Sequence, residues 1–398
     1  MPDSEQPGQG GGVARLRVVV VGAGIGGLAL ARGLVQEGHE VIVLEKAPAL
    51  RTSGAAISVW FNGMEALRRL GVSPDGLGQR IDRLVLRRPQ GRLLAAIDAA
   101  KLAGRFGVEA ATVPRRVVLE RLAEGLPDGV VRFGAECKDV ELDPGRPRVT
   151  LADGTVVDGD LVVGADGWRS VVRAALGADE PVRYLGVGAW QMLVQMPASL
   201  SASHDFLYLI GAEGRAGFMA AGAGLFQSWF DVPWTEGAPR PDSVRSLLSH
   251  RFASWPSPVP EVLAAATEDD IELWHYAHRR VPESLGRGRV VLVGDAAHTM
   301  PPYLAQGANQ ALEDAWILTT QLRSSADPAH AVRTYGDKRR RKAAAVSHLA
   351  VSSLAGGQLR WLDRVTPAGG LPIGLSTALY GYFIRAASSV LGLTSTAP

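Results

Sequence analysis

The stretch "LRVVVVGAGIGGLALARGLVQEGHEVIVLEK", residues 16–46, decides the fold. It opens with four consecutive valines, Val18–Val21, a β-branched run that is typical of a parallel strand covered on both faces. Regularly spaced apolar residues then predict a helix from Gly26 to Glu37, and Gly38 ends it. The stretch "EVIVLE", residues 40–45, predicts a second strand. The pattern therefore predicts a βαβ unit at the start of an α/β domain.

The turn between the first strand and the helix has the pattern G-x-G-x-x-G. Gly22 permits the tight turn, Gly24 lets a pyrophosphate approach the backbone, and Gly27 allows the helix to pack closely on the strand. The helix N-terminus attracts phosphate charge, and Glu45 ends the second strand where a carboxylate suits a ribose hydroxyl. This unit predicts dinucleotide binding, with a purely structural glycine turn as the alternative. It does not separate NAD from FAD.

The composition is that of an ordinary globular protein of 398 residues with a net charge of +2. Its length predicts two or three domains. The single cysteine, Cys137, excludes an internal disulfide framework, a CxxC redox pair and a cysteine-based zinc site, so a reducing, cytoplasmic setting is expected. The basic run Asp337–Ala345 lacks interleaved aromatic residues. It predicts a solvated helix face and no nucleic-acid partner.

Neither end of the chain carries a predicted membrane span. Residues 1–16 are mostly polar and glycine-rich, which predicts a disordered tail and not a signal peptide. No uninterrupted run of about 18 apolar residues occurs anywhere in the chain. The apolar stretch Gly369–Leu393 contains Pro372 and Arg385. It predicts a packed terminal helix, with a surface that touches a membrane or an apolar substrate as the alternative.

A second strand-to-helix joint lies in "DLVVGADGWRSVVR", residues 160–173. Its strand ends at Asp166 and Gly167, and Ser170 and Arg173 follow. An Asp-Gly turn that caps a helix explains this pattern equally well when it is taken alone.

A third joint lies in "GRVVLVGDAAHTMPPYLAQGANQALEDA", residues 288–315. Its strand ends at Gly294 and Asp295, and the Asp295 carboxylate is suited to accept hydrogen bonds from sugar hydroxyls. Two adjacent prolines stiffen the loop and donate no backbone hydrogen bonds. The sequence Gln-Gly-Ala-Asn, 306–309, then begins a helix whose free N–H groups can face an electron-rich ring.

These three motifs, in this order, resemble the class A flavoprotein monooxygenases, the group of para-hydroxybenzoate, salicylate and urate hydroxylases. The resemblance covers roughly residues 18–350. It implies a Rossmann-like FAD-binding domain, a second antiparallel-sheet substrate domain and C-terminal helices. The first motif would bind the ADP half of FAD, the second FAD and NAD(P)H, and the third the ribityl chain and the flavin ring.

The resemblance also implies a division of the chain into segments. The FAD-binding domain would be built from three parts, and the substrate domain from two. In chain order we expect a disordered tail at 1–16, FAD-binding parts at 17–79, 105–181 and 285–350, substrate-domain parts at 80–104 and 182–284, and a C-terminal helical segment at 351–398.

Specific roles follow for individual residues. Asp295 would bind the ribityl hydroxyls, and Gly307 and Ala308 would offer backbone N–H groups to the flavin pyrimidine edge. Arg116 matches the family's FAD-contacting arginine, although Arg115 is its direct neighbour. The full set expected to bind the cofactor is Gly22, Gly24, Gly27, Glu45, Lys46, Arg51, Arg116, Asp166, Gly167, Gly294, Asp295, Gly307, Ala308 and Asn309, while Arg173 would support the second motif.

Some stretches look like the bacterial FAD-dependent urate hydroxylase branch, among them "GAAISVWFNG", "WFDVPW" and "IELWH". Arg215 falls where that branch places a substrate-binding arginine. Gln227 stands where the branch has a tyrosine, and Tyr303 where it has an aspartate. A small anionic purine needs polar partners, and "PPYLAQ" with its nearby tryptophans is more apolar. We therefore expect a larger apolar substrate, aromatic or polycyclic, in specialised metabolism.

The activity that the resemblance implies is FAD-dependent monooxygenation with NAD(P)H and O2, through a flavin C4a-hydroperoxide. Candidate catalytic residues are Pro302, Tyr303, Arg215 and His298, and a structural role beside the flavin loop is the stronger reading for His298. No metal is expected, because no carboxylate or cysteine cluster completes the pair His275 and His278.

Several alternatives remain open. Epoxidation and Baeyer–Villiger insertion are possible within the same family, and a related flavin-dependent reductase or a non-catalytic flavin protein lies outside it. The expected partners are a small-molecule substrate and O2, in a monomer or homodimer.

Overall fold

A computed structural model describes residues 15–50, 54–355, 367 and 369–392 of the chain. The fold is a mixed α/β architecture with a Rossmann-like sheet, a second large sheet and C-terminal helices, as the sequence predicts. Most of the predicted disordered tail, and Arg51, lie outside the described residues.

The strands are numbered β1 to β19 in chain order. Their bounds are Arg17–Val21, Glu40–Glu45, Ala56–Val59, Gln79–Arg80, Arg83–Arg87, Leu93–Asp98, Ala111–Pro114, Val131–Phe133, Cys137–Glu141, Arg148–Leu151, Val156–Asp158, Leu161–Gly164, Arg183–Gln195, Asp205–Ile210, Arg215–Gly222, Leu225–Pro233, Glu272–His278, Gly286–Arg287 and Val290–Leu292.

The α-helices are numbered α1 to α12. Their bounds are Ile25–Gln36, Phe61–Arg69, Ala99–Phe106, Arg115–Ala123, Val171–Ala175, Ala198–Ser201, Val244–Arg251, Val259–Ala265, Asp295–His298, Gly307–Arg323, Pro328–Ala355 and Ile373–Ala387. Two short 3-10 helices occur at Gly167–Arg169 and Pro302–Leu304.

The first large sheet has the strand order β18-β19-β12-β1-β2-β8, and every pair except β18–β19 is parallel. Its central strand β1 is buried on both faces, since the four valines Val18–Val21 are at most 3% exposed. The register pairs Val21 with Gly164 of β12. The strand ends that carry the three motifs therefore lie at one edge of this sheet, which is where open α/β sheets bind ligands.

The second large sheet has the order β17-β13-β16-β15-β14-β5-β6. It is antiparallel except for the parallel pair β14–β5, a departure from the purely antiparallel sheet that the sequence predicts. Side chains alternate between its faces along each strand. On β16, Phe226 and Phe230 enter a separate apolar core, whereas Gln227 and Trp229 line the cavity on the other face.

The C-terminal helix α12 packs against β6 and adds Tyr380 to the main cavity. Its buried positions include Gly381 and Ile384, while Leu379 and Tyr382 are exposed on the other side. No helix among the described residues is long and apolar enough to cross a membrane. The terminal segment is therefore a packed helix with an exposed apolar stripe.

Candidate active site

One cavity of about 1530 Å³ lies between the motif edge of the Rossmann-like sheet and the inner face of the second sheet. Gly22, Gly24 and Glu45 line one end of it. Aromatic side chains line the other end, and the loop that contains Pro302 and Tyr303 lies in its wall. The volume is larger than that of a usual small-molecule pocket, so the cavity is able to hold a dinucleotide together with a second ligand.

The glycine turn is closely packed on all sides except toward the cavity. Gly22 has a φ of +103°, and a Cβ atom there would lie 2.5 Å from the Ala165 carbonyl oxygen. A Cβ atom on Gly27 would lie 1.9 Å from the Gly22 carbonyl oxygen. Neither position therefore accepts a side chain. The space beside Gly24 is open, which leaves its backbone accessible to a phosphate group.

The Glu45 carboxylate is fixed by backbone donors at the end of β2. Its Oε2 accepts a hydrogen bond from Ala23 N at 2.8 Å, and its Oε1 accepts one from Ala47 N at 2.9 Å. Each carboxylate oxygen can accept a further bond, for example from a ribose hydroxyl. Lys46 is exposed beside it and lines the same end of the cavity.

Asp166 lies on the cavity wall and caps the short helix α5. Its Oδ2 accepts hydrogen bonds from Val171 N at 2.7 Å and Val172 N at 3.3 Å. Its Oδ1 is buried and has no hydrogen-bond partner among the described residues. Burial raises the pKa of this carboxyl. An unpartnered buried oxygen in a cavity wall is suited to receive a ligand hydroxyl. Gly167 lines the cavity next to it.

Arg173 is fully buried and does not line the cavity. Its guanidinium donates hydrogen bonds to the carbonyl oxygens of Ala178 at 2.7 Å and Arg280 at 2.6 Å. It also donates to the carbonyl oxygens of Ala296 and Ala297, at 3.2 and 3.3 Å. Arg173 thus ties the second motif to the third, which is the supporting role expected from the sequence.

The third motif presents Asp295 to the cavity. Gly294 takes a φ of +59°, and the following Asp295 side chain is exposed toward the open space. Gly307 and Ala308 line the cavity at the first turn of α10, a helix of 17 residues. The N–H groups of a first helical turn lack intrahelical partners, so they can bind an electron-rich edge.

A buried charged network lies behind this turn. Asp314 on α10 accepts hydrogen bonds from Gly294 N at 2.9 Å and from Arg339 Nε at 2.7 Å, and its Oδ2 lies 2.6 Å from His298 Nε2. Arg339 also donates to Glu313 at 2.8 Å. Burial alone would raise the pKa of Asp314, but the charges of His298 and Arg339 lower it to about 2. We name this group the Asp314 network.

Five of the expected site residues that the structure describes do not line the cavity: Gly27, Arg116, Arg215, His298 and Asn309. His298 is 0% exposed and is held by Asp314, so it anchors the loop and does not reach a substrate. Asn309 is also buried. Its side-chain oxygen accepts a hydrogen bond from Trp60 N, and its side-chain nitrogen donates to the carbonyl oxygens of Ser58 and Ala305.

Arg116 is exposed and paired with Glu120 across one helical turn. Its neighbour Arg115 lines the cavity instead and lies over the Trp274 ring, with 5.8 Å between its Cζ and the ring centroid. Adjacent residues on a helix point in directions about 100° apart, so only one of the two arginines can face the cavity.

The other end of the cavity is a continuous aromatic wall. Ring centroids are 5.3 Å apart for Tyr380 and Trp60, 6.3 Å for Trp60 and Phe206, and 5.6 Å for Phe206 and Trp229. The Trp229 ring lies against Gly217, where a Cβ atom would lie 2.0 Å from the nearest ring atom. Leu84, Leu86, Ile97 and Met219 complete the apolar lining. None of these aromatic residues is among the site residues expected from the sequence.

Gln227 lines this chamber, but its amide is already engaged. The side-chain Oε1 accepts a hydrogen bond from Ala56 N at 2.6 Å, and Nε2 donates to Ser228 O at 3.0 Å. Gln227 therefore connects the second sheet to β3. Pro302 is exposed to the cavity, Tyr303 lines it, and Arg215 does not.

The residues present fit FAD. The cavity is lined by groups suited to different parts of this cofactor: a glycine turn open to phosphate, the fixed Glu45 carboxylate, the unpartnered Asp166 oxygen and the N-terminus of the long helix α10. Among the described residues, no cluster of three or more His, Cys, Asp or Glu side chains could hold a metal ion.

Comparison with known proteins agrees with this geometry. Residues 15–350 match the family described as "FAD binding domain". The FAD-dependent urate hydroxylase of Klebsiella pneumoniae subsp. pneumoniae is 34% identical over 81% of this chain and 86% of its own length. The 3-amino-4-hydroxybenzoate 2-monooxygenase PtnB3 of Streptomyces platensis is also 34% identical, over 82% of this chain and 84% of its own.

Among solved structures, Klebsiella pneumoniae HpxO complexed with FAD and uric acid superposes with a TM-score of 0.86. The two chains are 28% identical, and the match covers 93% of this chain and 97% of the other. The chain belongs to the FAD binding domain family, in the group that contains FAD-dependent hydroxylases.

Proposed function

We propose that the protein is an FAD-dependent monooxygenase that uses NAD(P)H and O2 to hydroxylate an apolar aromatic or polycyclic small molecule. One observation carries the proposal: the cavity that contains the FAD-suited groups continues directly into an aromatic chamber. A relative named as a 3-amino-4-hydroxybenzoate 2-monooxygenase supports an aromatic substrate.

The proposed cofactor site uses residues from all three motifs. The glycine turn and Glu45 hold the ADP half, Asp166 and Gly167 bind near the phosphates, and Asp295 binds the ribityl hydroxyls. Arg115 takes the role expected of Arg116, because Arg115 is the one that lines the cavity. Bound FAD would supply the reduction of O2 and the transfer of one oxygen atom to the substrate, with NAD(P)H as the electron source.

The chain's own contribution is to position the substrate and to keep water out. Trp229 and Tyr380 are only partly buried and line the cavity, so they give apolar surfaces against which a flat ring system can stack, and Phe206 and Trp60 pack against them. Pro302 exposes a ring and no N–H to the cavity, so it adds no donor beside the reacting centre. Orientation within a dry chamber is the main way in which a protein can accelerate such a transfer.

Two alternatives share the same cavity. An epoxidase or Baeyer–Villiger enzyme would use the same site on a different functional group, and product analysis separates these reactions. A flavin-dependent reductase would bind FAD and an apolar substrate without transferring oxygen. Its reduced flavin would return directly to the oxidised form.

Rapid mixing of the anaerobically reduced protein with O2 tests the proposal. We expect a transient absorbing species before the oxidised flavin spectrum returns, and we expect electron-rich aromatic compounds to accelerate its decay. Direct reoxidation without any transient, with or without such compounds, would contradict the proposal and favour the reductase.

A further inference from the structure

Arg215 and Asp231 form a buried pair of opposite charges beside the aromatic chamber. They face each other across strands β15 and β16, and they are 7% and 4% exposed. Neither residue lines the cavity. The pair therefore lies behind the cavity wall. Opposite charges at directly facing positions stabilise each other within a sheet.

Three tyrosines separate this pair from the cavity. Tyr208, Tyr276 and Tyr303 line the cavity, and the first two direct their hydroxyls to Asp231. The distance is 2.6 Å from Tyr276 Oη to Asp231 Oδ1 and 3.4 Å from Tyr208 Oη to Oδ2. These hydroxyls are thus used within the wall, which leaves the rings as its inner surface. We name the five residues the Arg215 cluster.

Tyr303 lies directly against the guanidinium. The Cζ atom of Arg215 is 4.6 Å from the centroid of the Tyr303 ring, a cation–π distance. The ring also packs edge-to-face on Tyr276, with 5.1 Å between centroids. Two independent contacts therefore fix the Tyr303 ring between the positive charge and the cavity.

We propose that Tyr303 is a specificity-determining residue whose ring covers Arg215, so that the site selects a neutral aromatic substrate over an anion of the same size. This inference rests on the proposed function, because it assigns the substrate class of the same site. An anion that entered the chamber would lose its hydration without gaining the arginine as a partner, which is costly. A neutral ring system would instead gain stacking contacts.

Two relatives of this chain are named for urate and for a benzoate, and both compounds can carry negative charge. In this chain the charge of Arg215 is turned to the Tyr303 ring and to Asp231. Removal of the Tyr303 ring should therefore expose a positive charge to the chamber without any added residue.

The test measures binding to the FAD-loaded protein, with 2-naphthol and 2-naphthoate as a matched pair of probes. At about pH 7 the naphthol is neutral and the naphthoate is ionised. Flavin absorbance changes and tryptophan quenching report binding without NAD(P)H or O2. We expect the wild-type protein and Tyr303→Phe, which keeps the ring, to bind the naphthol at least about tenfold more tightly.

Tyr303→Ala should reduce or remove this preference by strengthening naphthoate binding about tenfold, and the added change Arg215→Gln should abolish that gain. The single variant Arg215→Gln should change naphthoate affinity less than about threefold, because the covered charge does not reach the ligand. If Tyr303→Ala loses FAD, the naphthoate affinity of the single variant Arg215→Gln tests the inference on its own.

Three results would overturn the inference: a wild-type preference for naphthoate, a loss of naphthoate binding in Arg215→Gln, or no binding of either probe. A protein that prefers naphthoate but still shows the oxygen-dependent transient would overturn the inference alone. Absence of the transient would instead overturn the proposed function.

Discussion

Two buried charge clusters border the cavity, and they are built differently. The Asp314 network behind the cofactor end has direct ion pairs, with 2.7 Å between Arg339 Nε and Asp314 and 2.8 Å between Arg339 Nη1 and Glu313. The Arg215 cluster behind the aromatic end balances its charge through phenol hydroxyls and a ring face. The first group is a closed ionic framework, and the second is an incompletely balanced one.

The pKa values of the two aspartates express this difference. Asp314 lies close to His298 and Arg339, and its pKa is lowered to about 2 despite its burial. Burial raises the pKa of Asp231 to about 7, although Tyr276 and Arg215 oppose the rise. The cofactor end is thus fixed by ionised groups, whereas the aromatic end contains a carboxyl group that can change its charge near neutral pH.

The largest effect should follow from opening the Asp314 network. Arg339→Met leaves Asp314 and Glu313 buried without their shared partner, which should cost about 3–5 kcal/mol of unfolding free energy. The Gly294 turn would lose its fixed acceptor, so FAD content should fall as well. Chemical denaturation and flavin absorbance measure both changes. Arg341→Met, in the same basic run but exposed, should stay within about 0.5 kcal/mol of the parent protein.

Equal losses in both arginine variants would show that the run acts through its overall charge. Arg339 would then behave like an exposed residue of the run, and the Asp314 network would not be a special ionic framework.

Asp295→Ala probes the cofactor end from inside the cavity. The loss of a charged hydrogen-bond acceptor should weaken FAD binding about tenfold to a hundredfold, with little change in the stability of the FAD-free protein. Fluorescence titration of the FAD-free protein with FAD measures the affinity. Asp337→Ala, on the exposed face of α11, serves as the control. A variant that purifies fully yellow and binds FAD like the parent would contradict this role for Asp295.

Asp231→Asn tests the Arg215 cluster through the pH dependence of the unfolding free energy. Because the folded-state pKa of Asp231 is raised to about 7, ionisation of this carboxyl disfavours the folded state. Its contribution to stability should therefore be lost as the pH rises from about 4 through about 7. The unfolding free energy of the parent, minus that of the variant, should fall by about 1–3 kcal/mol between pH 5 and pH 8. Parallel pH profiles for the two proteins would refute this assignment.

The smallest effects are expected at two adjacent arginines, Arg115 and Arg116. Arg116→Ala removes an exposed ion pair with Glu120, which is worth less than about 0.5 kcal/mol, and FAD binding should not change. Arg115→Ala should weaken FAD binding about tenfold, since this side chain lines the cavity. Parallel FAD titrations of the two variants measure the difference, and the reverse pattern would restore Arg116 as the cofactor residue.

Local features of the fold were predictable from the sequence because each is encoded within a short stretch. The helix predicted from Gly26 to Glu37 is observed as α1, Ile25–Gln36, and the valine run forms the buried strand β1. The strand-to-helix joints of the three motifs also lie together at one sheet edge, since parallel strands bring their ends to the same side.

Features that depend on tertiary contacts were not predictable. Arg339 belongs to a run of basic residues that reads as a solvated face, and only the packing of α11 on α10 turns this one side chain inward. The aromatic wall collects Trp60, Phe206, Trp229 and Tyr380 from four distant parts of the chain, and no local pattern relates them. The choice between Arg115 and Arg116 likewise depended on the exact start of α4.

The alternation of side chains in the second sheet has a consequence for how such proteins diversify. One face of strands β14 to β16 is packed into its own core, and the other face, with Phe206, Met219 and Trp229, borders the substrate chamber. The three cofactor motifs belong to a different sheet. Apart from Gln227, which is bonded to Ala56, residues on the chamber face can therefore vary while the strand ends of the other sheet stay in place, so one cofactor chemistry can be combined with different substrate chambers.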